Sequence, residues 1–230
     1  MTDPRDNPFW AALTSAQSHL ASGTSRVKRY AADVAPFVAI AEDADPRRAA
    51  DDVATLVSPD ESVVLVGVVL PADPRFEVEQ RAGVLQMDYA ASSVPGEPES
   101  FAELGLGEVD AMLALTGLVY PGYFRRRTPL MGRYHGVFDG DGRLVAMAGE
   151  RMRTDTHCEI SGVCTHPDFV GRGLAGRLVR RVTAGILARG ERAFLHVSPE
   201  NTRAVKLYEA LGFATRRELP LLRARRLPSS

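Results

Sequence analysis

The stretch from His157 to Ala188 constrains the chain most. His157–Thr165 reads as a strand, stopped by His166-Pro167-Asp168. A glycine-rich turn, Gly171-Arg-Gly-Leu-Ala-Gly176, then leads into a helix to about Ala188. Its Leu174, Leu178, Val182 and Ile186 fall on one stripe. Glycines at a helix entrance let the backbone approach a ligand, and the first helical N–H groups point outward unpaired. With the helix dipole they form an anion site suited to a pyrophosphate. The glycines at 171, 173 and 176 also fit the spacing of a dinucleotide-binding loop. That reading lacks its ribose-binding carboxylate, because the next strand ends His196-Val197-Ser198. The Walker pattern lacks its Lys-Ser/Thr.

The remaining elements predict a mixed α/β layer fold. Glu108–Val119 is a helix ended by Tyr120-Pro121-Gly122. Tyr134–Phe138 and Arg143–Arg151 are strands joined by the hairpin signal Asp139-Gly-Asp-Gly142. Arg192–Val197 is a strand, and Ser198-Pro199-Glu200 caps a helix that stops at Leu211-Gly212. Phe213–Leu219 is the last strand. The order is a helix, three antiparallel strands, then βαβαβ. In the first half, Asn7-Pro8 and Asp45-Pro46 open helices. Glu61–Leu70 and Arg81–Asp88 read as strands. Ser92–Ser100, rich in Pro, Ser and Gly, reads as a linker. The predicted organisation is an α/β half over 1–91, a linker over 92–100 and a second domain over 101–230.

Charge separates the halves. Residues 1–120 hold 19 acidic against 8 basic residues, and 121–230 hold 10 against 20. A basic half meets an anion, and both a nucleic acid and an anionic cofactor fit. No aromatic-basic stripe or known reader motif favours nucleic acid, which ranks last. Cys158 and Cys164 match no zinc spacing, and His157 and Cys158 point to opposite faces of a strand, so no metal is expected. The longest apolar run, Val63–Leu70, is far short of the ~20 residues that span a bilayer. The first residues show neither a basic n-region nor an apolar h-region. A cytoplasmic protein without membrane association is the expectation.

From Gly107 to about Leu221 the chain resembles the GNAT superfamily of acyl-CoA-dependent N-acyltransferases. The family signature at the opening of the central helix falls on Val170, Gly173 and Ala175, with Val170 where Gln or Arg is usual. Val163-Cys164-Thr165 resembles the strand whose backbone lines the pantetheine arm. Ser198–Phe213, with Asn201 and Tyr208, resembles the second CoA-side helix, its ending Tyr-x-x-Leu-Gly-Phe being the most specific fragment. The run from Glu159 to Pro167 is similar to the glycine N-acyltransferase-like branch, in which a Glu at this place is the proposed general base. That branch also carries a degenerate GNAT-like first half, and residues 1–90 have the right size for one.

The resemblance implies a GNAT fold with a central mixed sheet flanked by helices. It implies acetyl-CoA as co-substrate, bound by Val163, Cys164, Thr165, Val170, Gly171, Arg172, Gly173, Leu174, Ala175, Gly176 and Asn201. It implies transfer to a small-molecule or peptide amine, with Glu159 as base and Tyr208 as acid. A carboxylate within reach can take the amine's proton, and burial would raise its pKa toward neutrality. A Tyr hydroxyl can protonate the leaving thiolate, and strand N–H groups can polarise the carbonyl. Each residue has a plainer use. Glu159 could pair with Arg151 or Arg153, with Glu150 the rival base. Tyr208 could be a core aromatic, and Asn201 could bond backbone at its helix start. A non-catalytic acyl-CoA-binding module is the alternative function. Oligomeric state is open, a homodimer among the options.

Overall fold

The computed structural model describes residues 3–95 and 99–228, the side chains of 80–82 excepted. It divides into two compact units. The first holds Met1–Ala32, Pro36–Val84 and Glu218–Ser230, and the second holds Asp33–Ala35 and Leu85–Arg217.

In the first unit, helix α1 (Pro8–Leu13) precedes an antiparallel sheet of β1 (Ala21–Gly23), β2 (Val27–Tyr30) and β3 (Val38–Ile40). Helix α2 (Pro46–Leu56) follows, then β4 (Ser62–Val66) and the start of β5 (Phe76–Tyr89). Both Xaa-Pro signals mark real helix starts, by different means. The Asp45 side chain accepts from the Arg48 N–H at 3.0 Å and caps α2. Asn7 makes no cap bond; its Nδ2 donates to the Ile40 carbonyl at 2.7 Å and ties α1 to β3. β4 is shorter than the apolar run because Gly67 turns to φ +80. Val27, Val53, Val63 and Leu65 form the centre of this unit's core.

In the second unit, β6 (Ala102–Leu104) and α3 (Val109–Val119) precede β7 (Tyr134–Phe138), β8 (Leu144–Arg153) and β9 (His157–Thr165). Then come α4 (Leu174–Ala188), β10 (Arg192–Val197), α5 (Thr202–Ala210) and the start of β11 (Phe213–Arg226), which continues from Glu218 in the first unit. The order of the eight-stranded sheet to which these strands belong is β4-β11-β5-β10-β9-β8-β7-β6. β9 and β10 are parallel, and β5/β10, β8/β9, β7/β8 and β6/β7 are antiparallel. This is the mixed sheet expected. On one face α4 lays Leu178, Val179, Val182 and Ile186 against Ala146, Ala148, Cys158, Ile160 and Leu195. On the other, Met112 and Leu115 of α3 cluster with Tyr134, Met147 and Cys164. Each such fully buried side chain contributes about 1.5–3 kcal/mol of transfer free energy.

The units do not divide at the Pro-rich stretch. Residues 92–95 and 99–100 lie in the second unit, 96–98 lie outside the described residues, and 218–230 group with the first unit. The reason is β11, whose Leu221–Arg225 pairs with Val66–Ser62 of β4. Among the described residues, no helix is long and apolar enough to cross a membrane.

Candidate active site

The site begins where two parallel strands stop pairing. β10 runs beside β9 from Arg192↔His157 to Leu195↔Ile160, after which His196 and Val197 pair only with Gln86 and Leu85 of β5. At that point β9 carries an extra residue: Gly149 of β8 opposes Ser161, but Met147 opposes Cys164. Gly162 takes up the bulge at φ +65, a conformation that glycine adopts without strain. The edge of β9 over Val163, Cys164 and Thr165 is therefore turned away from β10, with main-chain groups available to a ligand. The Cys164 side chain points into the α3-side core, and burial pushes its thiol up to about 12. Cys158, also buried and free, is raised by the same cause. Neither is a poised nucleophile.

Beyond β9, Pro167–Phe169 forms a single 3-10 turn. The Arg172 guanidinium carbon lies 4.4 Å from the Phe169 ring centroid, a cation–π contact that steadies the loop ahead of α4. Gly171 (φ +88) and Gly173 (φ +73) are left-handed, and a Cβ added at either would meet nothing within 4 Å. Gly173 is the N-cap of α4, with no side-chain cap bond. The N–H groups from Gly171 to Gly176 make no hydrogen bond to another described residue. These N–H groups lie at the positive end of a 15-residue helix, and no side chain covers the backbone at Gly171 or Gly173. That arrangement fits a diphosphate. Val170, Arg172 and Ala175 are partly or well exposed around it, whereas Leu174 turns its side chain into the core and offers only main chain. Gly176 has a packing reason: its Cβ position lies 3.4 Å from Leu207 and 3.9 Å from Leu211 on α5.

Glu159 is fully buried. Its Oε2 accepts from Arg151 Nε at 2.7 Å, and its Oε1 from Arg151 Nη2 at 2.5 Å. Oε1 also meets His196 Nδ1 at 2.8 Å. Beyond that ring, His196 Nε2 lies 3.0 Å from Gln86 Nε2, and Gln86 Oε1 accepts from Arg216 Nη1 at 2.7 Å. Since the Gln86 oxygen is taken by an arginine, its amide donates to His196, which must donate through Nδ1 to Glu159. A hydrogen-bonded row thus crosses the sheet from Arg216 to Arg151, on the face opposite α4. Burial pushes the Glu159 carboxyl up, but the Arg151 charge with the Arg151 and His196 hydrogen bonds outweighs it and leaves the group lowered to about 2. The expected rise toward neutrality is reversed. Sequence offered Arg151 as a partner but gave no sign of His196 or Gln86, which the fold brings together from strands far apart in the chain. Glu150, the rival base, is buried and paired with Arg189 at 2.9 Å.

Tyr208 is buried on α5, its ring edge-on to Phe213 at 6.1 Å. Burial pushes its hydroxyl up to about 12, with the nearby Cys164 thiol adding to the effect. The hydroxyl makes no hydrogen bond to another described residue, so it is a protonated donor awaiting an acceptor. Asn201 is the N-cap of α5, its Oδ1 accepting from the Ala204 N–H at 3.1 Å. Among the described residues, no three His, Cys, Asp or Glu side chains come together as a metal site would need.

Comparison with known proteins agrees with this architecture. The family model described as FR47-like protein matches residues 134–220. A protein from Novosphingobium aromaticivorans, described as a GNAT-family acetyltransferase, is 37% identical with TM-score 0.84, over 99% of this chain and 100% of that one. A GCN5-related N-acetyltransferase from Kribbella flavida shares the fold at TM-score 0.59 and 17% identity, over 97% of this chain and 94% of that one. An acetyltransferase of the GNAT family from Colwellia psychrerythraea does so at TM-score 0.53 and 9% identity, over 98% of each chain. No curated protein matches the sequence.

Proposed function

The chain belongs to the GNAT family of acetyltransferases, and we propose that it moves an acetyl group from acetyl-CoA to a primary amine by direct attack. The observation that carries this reading is the set of unpartnered N–H groups over Gly171–Gly176, beside the point where β9 and β10 part. Those donors take the diphosphate. The parting, opened by Gly162, admits the pantetheine arm along Val163–Thr165. Acetyl-CoA supplies an activated acyl group and a thiolate leaving group.

The chain's own residues then have distinct work. Main-chain N–H groups of the turned-away β9 edge stabilise charge that develops on the acyl oxygen. Tyr208, held protonated, donates to the departing sulfur and regains its proton from solvent. Glu159 is assigned a positioning role rather than proton abstraction. Its oxygens are already engaged by Arg151 and His196, and a carboxyl near 2 is a poor base for an amine. The amine therefore sheds its proton to water, while Glu159 fixes Arg151 and His196 below the reacting centre. The likeness of residues 159–167 to the glycine N-acyltransferase-like branch supports an amine acceptor, without its general-base role.

The test is release of free thiol from acetyl-CoA across a panel of primary amines. Amine-dependent release above hydrolysis is expected. One observation favours a second reading, a non-catalytic acyl-CoA-binding module: Glu159, aligned with the proposed base of the glycine N-acyltransferase-like branch, is locked in an ion pair. That reading predicts thermal stabilisation by CoA with no amine-dependent thiol release.

A further inference from the structure

Five adjacent strands each give one side chain to a single hydrogen-bonded row. In the order of the sheet these are Arg216 on β11, Gln86 on β5, His196 on β10, Glu159 on β9 and Arg151 on β8. All five belong to the second unit. His196 and Glu159 flank the parting of the strands, whereas Gln86 and Arg216 stand one and two strands beyond it. Gln86 is fully buried. A buried amide costs more than an apolar side chain of its shape unless its partners are in place, so its orientation here is well determined.

The row has a direction. A guanidinium only donates, so Arg216 takes Oε1 of Gln86 as its acceptor at 2.7 Å and leaves Nε2 to face His196 at 3.0 Å. An amide N–H donates to an unprotonated ring nitrogen, which puts the His196 proton on Nδ1, facing Glu159 Oε1 at 2.8 Å. The buried Phe194 ring stands at 88° to the imidazole, with centroids 5.6 Å apart. Both ring nitrogens are thus engaged and the ring plane is held. What the surroundings fix is where His196 points.

That direction matters because of where the bond lies. Leu195↔Ile160 is the last rung between β10 and β9, and His196, the next residue, pairs directly with Gln86. From there the His196 side chain reaches back to Glu159. The bond clasps β10 to β9 at the apex of their opening, on the face opposite α4, and so limits how far the strands part. A thioester threaded through the opening has its carbonyl placed by that apex against the N–H groups of Val163–Thr165. A small misplacement at a reacting centre costs turnover rather than affinity.

We propose that Gln86, backed by Arg216, is a positioning residue for acyl transfer: it holds His196 as the donor to Glu159 and thereby fixes the apex between β9 and β10. This rests on the acetyltransferase reading above.

The experiment compares Gln86→Met and Gln86→Glu with wild type, using acetyl-CoA and the best amine of the panel. Methionine keeps the shape and removes both hydrogen bonds, so kcat should fall by about 10- to 100-fold with the KM for acetyl-CoA unchanged. Glutamate still accepts from Arg216 but offers His196 no donor. The clasp to Glu159 then survives only while the ring carries both protons, so the ratio of variant to wild-type kcat should fall as pH rises. Variants that melt earlier but keep the wild-type kcat and pH profile overturn the proposal. Nitrogen-15 NMR of labelled histidine in wild type tests the row without any variant: a single proton on Nδ1 is expected, and a proton on Nε2 overturns it. If wild type acetylates no amine, the transfer reading fails, and the carbonyl carbon-13 shift of bound acetyl-CoA decides the inference separately. That shift must differ between wild type and Gln86→Met, and equal shifts overturn the proposal.

Discussion

Arg151 grips Glu159 fork to fork, with Nε on Oε2 at 2.7 Å and Nη2 on Oε1 at 2.5 Å, on neighbouring strands beneath the parting of β9 and β10. A carboxyl that ordinarily sits near 4.5 is held near 2 in the folded protein. Lowering an acid's folded pKa gives stability that is complete above the unfolded pKa and is lost as pH falls through the folded one. The shift corresponds to about 3 kcal/mol, lost between roughly pH 4.5 and 2. Urea unfolding over that range should show the loss in wild type and a flatter dependence in Glu159→Gln. The variant should also be about 3 kcal/mol less stable at pH 7, because Arg151 keeps its charge without a partner. Parallel pH curves would remove the ion pair from the account.

Gly171 and Gly173 carry the left-handed turn before α4. Alanine at Gly173 should cost about 1 kcal/mol in backbone strain. Alanine at Gly171 should in addition weaken acetyl-CoA binding by about tenfold, since its methyl group occupies the ligand's approach. Calorimetric titration alongside thermal melting separates the two effects. Unaltered affinity in both variants would mean the turn serves folding alone.

The Tyr208 hydroxyl contributes no hydrogen bond to the described structure, so Tyr208→Phe should melt close to wild type. Turnover should fall about 100-fold at nearly constant KM for acetyl-CoA, the signature of a lost proton donor. A variant that turns over normally would leave Tyr208 as a packing residue.

Asn201 has two separable uses. Aspartate caps a helix as well as asparagine, but presents a carboxylate where the amide was. Asn201→Asp should therefore keep its stability and bind acetyl-CoA several-fold more weakly, while Asn201→Ala should lose about 1 kcal/mol through the missing cap. Full affinity in the aspartate variant would make Asn201 a cap and nothing else.

The elements that shape the site were legible because local chemistry fixes them. β9 and β10 have the bounds that their apolar runs and stops predict, and α4 begins just after Gly173. What was hidden depends on pairing. The strands β1, β2 and β3 are too short to show a period, and β11 runs past Leu219 because β4 gives it a partner. The place of Glu159 on a central strand shows its burial, but burial alone gives the wrong direction for its pKa. The observed direction is set by Arg151 and by His196, which lies 37 residues further along the chain. Gln86 was legible only as part of a strand, since no local pattern reveals which strands will flank it.

The central claim is that main-chain amides at the start of α4 hold the diphosphate of an acyl-CoA. Amide hydrogen exchange over residues 171–176, with and without acetyl-CoA, tests it at the atoms concerned. Fast exchange in the free protein, slowed strongly and locally by the ligand, is the predicted result. Rates that stay unchanged at saturating acetyl-CoA, in a protein that remains folded, would contradict it.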